Sequence, residues 1–479
     1  MTPLKKLNLF SLTLLIISGI DNVRNFPASA LFGSTLVFFF VFAAITFLIP
    51  TALVSAELTA NVSEGGIYQW CRLGLGNRLG FLGIWMQWIS NVVWFPMMLS
   101  FVASTAVYFI NPAFAQNKYY LVISILGIFW VVTLLNLKGI RLSAKFASAC
   151  TVLGLFIPVT LLIVLLGVWL GLGKPSQIHF TLHDMLPNFH QTNNWVALSA
   201  IMLGFVGMEL NTVHINDVAQ PRRTFPKALI FSTMIILMTM VLGTLAIAIV
   251  LPYNQINLVN GTIQSFAYFL SAYHLSWGTP ILCVLLVVGS FGGILTWVIS
   301  PVKGLAQAAQ HGFMPPFLQK TNRYGVPQNM LIGQGILVSL ICTVFLLLPS
   351  VNSSFLLLTV LTTQMNIIMY VLMFAAMLCL RHNAVRDGER FCIPGGNIGL
   401  WITCLLGLVG CLITIFVNFI PPSSGINVGS PLLYEGMCGG GTLLLMLPTL
   451  LFCWYQERRL TLPSIPQHQQ SAATPSVSE

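Results

Sequence analysis

Apolar residues run along the chain in long unbroken stretches with short polar segments between them. Leu36 to Ile49, Leu121 to Leu135, Ile157 to Leu172, Ala228 to Leu251 and Met330 to Leu348 are clear cases. A helix needs about 20 mostly apolar residues to cross a hydrocarbon core, whereas a barrel strand needs only about 10, alternating in polarity. The runs here are continuous, so they predict helices rather than a barrel. The pattern gives about 12 spans. The first six lie near Leu7–Phe32, Thr35–Leu58, Phe81–Ile110, Tyr119–Leu137, Phe146–Leu172 and Asn193–Ile215. The other six lie near Ala228–Leu251, Pro280–Gln307, Met330–Leu348, Phe355–Leu380, Gly399–Phe419 and Tyr434–Tyr455.

Two of these spans carry an interruption. Span 1 reads Ile17-Ser18-Gly19-Ile20-Asp21-Asn22-Val23-Arg24-Asn25-Phe26-Pro27, and span 6 reads Leu203-Gly204-Phe205-Val206-Gly207-Met208-Glu209-Leu210-Asn211. Glycine weakens a helix and proline removes a backbone donor. Irregular backbone at membrane depth is tolerated only where protein buries it or a cavity needs it. Interrupted helices at matching places in two five-helix halves point to the site of an inverted-repeat transporter. Broken helices expose N–H groups at one end and C=O groups at the other, which suits the carboxylate and ammonium of an amino acid. The expected substrate-binding residues are Ser18, Gly19, Ile20, Asp21 and Arg24 with Gly204, Phe205, Val206 and Gly207.

Ionisable groups are expensive inside a membrane, so the few present need a reason. Asp21 and Arg24, three apart, share a helix face if the turn persists, and either pair with each other or meet a substrate charge. Glu209 is either a hydrogen-bonded structural acid or the residue that couples transport to protonation or substrate. Glu57, near the cytoplasmic end of span 2, is expected to pair with a basic residue in a loop. Phe205 and Trp297 could pack or serve as aromatic gates, while Trp85, Trp88 and Trp94 read as packing or interface anchors.

Composition supports the membrane reading. Hydrophobic residues make up 56% of the chain and charged residues 7%, against roughly 25% charged in soluble domains. A net charge of +10 is the kind that attracts nucleic acid, but its distribution excludes that. With the N-terminus in the cytoplasm, all but three of the 21 Lys and Arg fall on that side. Lys118 and Lys174 fall outside, and Arg24 lies within span 1. So strong a bias predicts an even number of spans with both termini cytoplasmic. The stretch after Lys5 and Lys6 lacks a small-residue cleavage site and reads as the first span rather than a signal peptide. The ten cysteines are scattered with no CxxC pair, so no metal or cofactor is expected. The histidines are dispersed and neither HExxH nor GxSxG occurs, which argues against an enzyme. Residues 1–460 are expected to form one transporter domain and 461–479 a short disordered cytoplasmic tail rich in Pro, Ser, Gln and Ala. An ion channel would also carry intramembrane charge, but would more often need a ring of filter residues from several subunits.

Several segments, taken in order, resemble the amino acid–polyamine–organocation superfamily, and in particular its bacterial glutamate/GABA antiporter branch. They include Ser34 to Phe40, Phe47 to Pro50, Ala56-Glu57-Leu58, Glu64 to Trp70 and Phe205 to Glu209. Thr212 to Asp217, Pro221 to Pro226, Pro252 to Leu258, Gly325-Val326-Pro327 and Phe391 to Gly396 follow in register. The resemblance implies an all-α, twelve-helix inner-membrane fold with a five-plus-five inverted repeat and breaks in helices 1 and 6. It implies alternating access, exchange of an amino acid for its decarboxylated amine, and a role in acid resistance. A proton-coupled permease for an amino acid or amine is the alternative within the class. Glu209 matches the family's helix 6 acid. The charged pair Asp21 and Arg24 stands where this branch is expected to be neutral, and few residues follow Arg459. The expected partners are the substrate and the lipid bilayer, with the chain a monomer or homodimer.

Overall fold

A computed structural model describes residues 8–62, 66–139, 144–187, 195, 197–210, 212, 218, 220–382, 391–422 and 430–461. Glu64 and Gly65, much of the predicted start and end of span 6, and the tail from Leu462 lie outside the described residues. Ten helices among the described residues are long and apolar enough to cross a membrane. They are α3 (Gly33–Asn61), α5 (Asn77–Tyr108), α6 (Lys118–Leu137), α7 (Ala149–Gly171), α9 (Pro221–Val250), α11 (Thr279–Gln310), α12 (Gln328–Leu347), α13 (Val351–His382), α14 (Gly396–Val417) and α15 (Pro431–Thr461). Their ends lie close to those of the predicted runs.

Spans 1 and 6 are not single helices. The first is α1 (Leu9–Ile20) followed by the short α2 (Phe26–Ala30), and among the described residues of the second the regular α-helix is α8 (Leu198–Gly204). Two further helices, α4 (Ile67–Leu75) and α10 (Gly261–Ala272), are too short to span and were not predicted.

Burial ranks the helices. In α5 and α13, 89% and 83% of the most apolar stretch is buried within the protein, against 11% in α15. α5 and α13 therefore form the packed centre and α15 the lipid-facing edge. α5 packs on α13, α11 and α4, while α9 packs on α1 and α3. Within α3 and α7 one turn widens to i→i+5 bonding, at Ala44–Leu48 and Val152–Phe156. Each wide turn is followed at once by Ile-Pro, Ile49-Pro50 and Ile157-Pro158. Proline supplies no N–H to the preceding turn, and a widened turn is one way to keep the helix running past it.

α7 and α11 cross closely at a pair of glycines. A Cβ on Gly154 would lie 2.1 Å from the Gly289 Cα, and the reverse contact is equally short. Small residues of this kind let membrane helices meet backbone to backbone. The charged groups at the ends of α3 and α13 are tied differently. Glu57 accepts from Arg381 at 3.2 Å and from the Ile393 N–H at 2.6 Å. Its basic partner therefore sits at the end of helix α13, not in a loop.

Candidate functional site

The first break falls between Gly19 and Pro27, not at either. Gly19 stays inside α1, and Pro27 sits in the first turn of α2, where its missing N–H costs nothing. Asp21 (ψ 129°) and Asn22 (ψ 125°) are extended. Asn22 stabilises the restart of the chain by accepting the Arg24 N–H at 3.0 Å. An asparagine offers this local bond in place of a helical one, which is why the break settles there.

The second break follows Gly204. Gly207 has φ +119°, a region open to glycine. Its N–H is donated to the Tyr370 hydroxyl at 2.9 Å. A short turn then resumes, with Leu210 N–H bonded to the Gly207 carbonyl at 3.0 Å.

The two breaks meet. A Cβ on Gly207 would lie 3.1 Å from Ile20 Cγ1 and 3.4 Å from Trp297 Cζ2, and one on Gly204 would lie 3.3 Å from Asn25 Nδ2. Trp297, from α11, donates its indole N–H to the Gly19 carbonyl at 2.8 Å, while its own carbonyl accepts from Asn91 of α5 at 2.7 Å. One of the carbonyls at the end of α1 is thus taken by Trp297.

A cavity of about 490 Å³ lies against this crossing. Of the expected site residues, Ser18, Gly19, Ile20, Asp21, Arg24, Val206 and Trp297 line it. Gly204, Phe205 and Gly207 do not: the Phe205 ring packs edge-on against Phe40, with centroids 6.0 Å apart. Glu209 lies apart as well, on a cavity of about 300 Å³ that it shares with Tyr68, Gln87 and Gln307. Its carboxylate accepts from Gln87 at 2.8 Å and from the Tyr370 hydroxyl. Tyr370 therefore connects Glu209 to the freed N–H of Gly207.

Asp21 and Arg24 do not form the ion pair that a continuous helical turn would have allowed. Asp21 accepts from Thr239 of α9 through one oxygen, and the other oxygen is unpartnered. Arg24 places its guanidinium over Trp94 and Phe355. The extended backbone at 21–22 rotates the two side chains off a common face.

Sequence reasoning missed Asn22, Asn25, Ser90, Asn91, Thr362 and Asn366, all of which line the main cavity. Trp94, read as packing or anchor, lines it too. The available signal was the set of neutral polar residues within apolar runs, which a search for charges passes over. Among the described residues no group of three or more His, Cys, Asp or Glu comes together.

Comparison with known proteins agrees with this architecture. A family model described as amino acid permease matches residues 7–443. The chain is similar to an uncharacterized transporter of Legionella pneumophila, at 39% identity covering 95% of this chain and 98% of the relative. It is also similar to a glutamate/gamma-aminobutyrate antiporter of Lactococcus lactis, at 30% identity covering 88% of this chain and 85% of the relative. A probable agmatine/putrescine antiporter of the same organism is 23% identical over 87% of this chain and 88% of the relative. With ten membrane-length helices and a family match along nearly its whole length, the chain belongs to the amino acid permease family and is a multi-pass membrane transporter of amino acids.

Proposed function

We propose that the protein is an amino acid exchanger of the inner membrane working by alternating access. The observation that carries this reading is the cavity built where the breaks after Ile20 and Gly204 cross. A site made of interrupted helices is one whose shape changes when the surrounding helices rock, and that is how such transporters move a bound solute. The ten long helices and the two broken segments make twelve spans in a five-plus-five inverted repeat with both termini cytoplasmic. Residues 1–460 act as one unit, with 461–479 a tail.

In this reading Ser18, Gly19, Ile20, Asp21 and Arg24 form one wall of the substrate site and Val206 part of the other. Gly204, Phe205 and Gly207 shape that second wall from behind. Glu209 is the coupling residue, and Tyr370 carries its state to Gly207. Trp297 closes the site over Gly19. The similarity to a glutamate/gamma-aminobutyrate antiporter favours exchange over net uptake and suggests a role in acid resistance.

Counterflow in reconstituted vesicles tests the proposal. Vesicles loaded in turn with amino acids and amines are assayed for uptake of labelled glutamate, glutamine and arginine at acidic and neutral pH. Uptake that requires an internal counter-substrate is expected. Uptake into empty vesicles driven by a pH gradient would make the protein a proton-coupled permease instead, and flux without exchange stimulation would point to a channel.

A further inference from the structure

Arg24 is 2% exposed, and its guanidinium carbon lies 5.7 Å from the ring centroids of both Trp94 and Phe355. Aromatic faces attract a cation but do not replace in-plane acceptors for its N–H groups. A guanidinium has five such donors in a fixed fork. Among the described residues no carboxylate or carbonyl accepts from this side chain, and Nε is unpartnered. Burying donors without acceptors is costly, and buried polar groups are almost always satisfied.

The nearest acid in sequence does not satisfy it. Asp21 is turned to Thr239, keeps one oxygen unpartnered, and forms no ion pair with Arg24. Among the described residues no other charged side chain lines the cavity. The site therefore holds one guanidinium and one carboxylate, kept apart, each with bonding capacity left over. A planar carboxylate is the group that a guanidinium fork accepts in bidentate fashion.

We propose that Arg24 receives the carboxylate of the transported molecule, so that both exchange partners must carry a carboxylate and amines lacking one are excluded. This rests on the exchanger reading above. Asp21 then serves the ammonium of the same molecule. Decarboxylation is compatible with exchange only where a second carboxylate survives, as it does in the step from glutamate to γ-aminobutyrate.

The test is competition in the exchange assay on the full chain. For an amino acid that the vesicles exchange, excess unlabelled amino acid is compared with the amine left when every carboxylate is removed, such as agmatine for arginine. The amino acid competes and the amine does not. R24Q weakens the amino acid about ten- to a hundred-fold, the worth of hydrogen bonds to a charged group. R24K, which keeps the charge but loses the fork, falls between. An amine competing as well as its parent amino acid would overturn the inference and leave the exchanger reading standing. So would R24Q that elutes as a folded monodisperse protein and exchanges with wild-type KM. If R24Q does not fold, the competition pattern of the unaltered protein decides alone. Exchange of no amino acid would overturn the exchanger reading and this inference with it.

Discussion

Gly207 combines a positive φ, a donated N–H and contact with the opposite break. Alanine there meets two penalties. The conformation itself costs about 1–2 kcal/mol for a residue with a side chain, and the new methyl presses on Ile20 at 3.1 Å. G207A is expected to lose exchange activity and to lower the thermal midpoint by a few degrees, measured in detergent by a fluorescence melt. G76A is the control, because Gly76 also has positive φ (+94°) but open space around it. It should show the conformational cost without loss of transport. Glu209 makes a separate prediction. E209Q keeps the size of the side chain but removes the charge that accepts from Gln87 and Tyr370. It is expected to fold and to exchange at similar rates at acidic and neutral pH, whereas the unaltered protein is expected to differ between the two. Retained pH dependence in E209Q would assign the coupling to another group. That Asp21 and Arg24 line the cavity was legible in the sequence, because ionisable groups are rare at membrane depth. The direction in which Asp21 and Arg24 point was not legible, since it depends on whether one helical turn survives at 21–22. The amides of Asn22, Asn25, Asn91 and Asn366 were equally hidden, because a neutral side chain in an apolar run looks the same whether it faces a cavity or a neighbouring helix.

Among the helices, the same kind of ion pair has very different consequences in two places. Arg78 and Glu457 pair on the surface, with side chains 70% and 48% exposed, while Arg381 and Glu57 are 12% and 4% exposed. Exposed pairs contribute about 0–1 kcal/mol. Removing one partner of a buried pair costs about 3–5 kcal/mol, because it strands the other charge. E457Q should therefore leave the melting temperature almost unchanged, whereas E57Q should lower it sharply and weaken the hold on the Ile393 N–H that Glu57 also accepts. The α7–α11 crossing is a third test. G289L cannot fit where Gly154 and Gly289 touch, and is expected to reach the membrane poorly or to aggregate on size exclusion. The long helices were legible because their apolar runs match the bilayer. α4 and α10 were missed because nine or twelve residues are too few for a hydropathy pattern to distinguish from a loop. The exact place of the first break was hidden too. Gly19 and Pro27 signalled an interruption, but both fit within helical turns, and it is Asn22 that caps the restart.

For the whole molecule, the skewed distribution of Lys and Arg makes a claim about sidedness that two native residues can report. Cys379 and Cys392 are exposed near the C-terminal end of α13 and the start of the segment leading to α14, the side that the basic residues predict to be cytoplasmic. A membrane-impermeant maleimide should leave them unlabelled in intact cells and label them in inside-out vesicles. Labelling from outside would invert the topology. The membrane class was readable from composition alone. The arrangement of centre and edge was not, because α15 and α5 are both apolar enough to span and only packing tells them apart.

The lengths of α5, α11 and α13 have a consequence for any assay. Each is 32 residues long, and at 1.5 Å per residue each extends about 48 Å. The hydrocarbon core of a bilayer is about 30 Å thick. Such helices must lean or project into the headgroups. Because α5 packs on both α11 and α13, the three share that adjustment. Acyl-chain length then becomes a control knob. A change of thickness alters the lean of the helices that bear Trp94, Trp297 and Phe355, and so the shape of the chamber they enclose. Exchange rates should pass through a maximum as vesicle lipids are lengthened, with the substrate held constant.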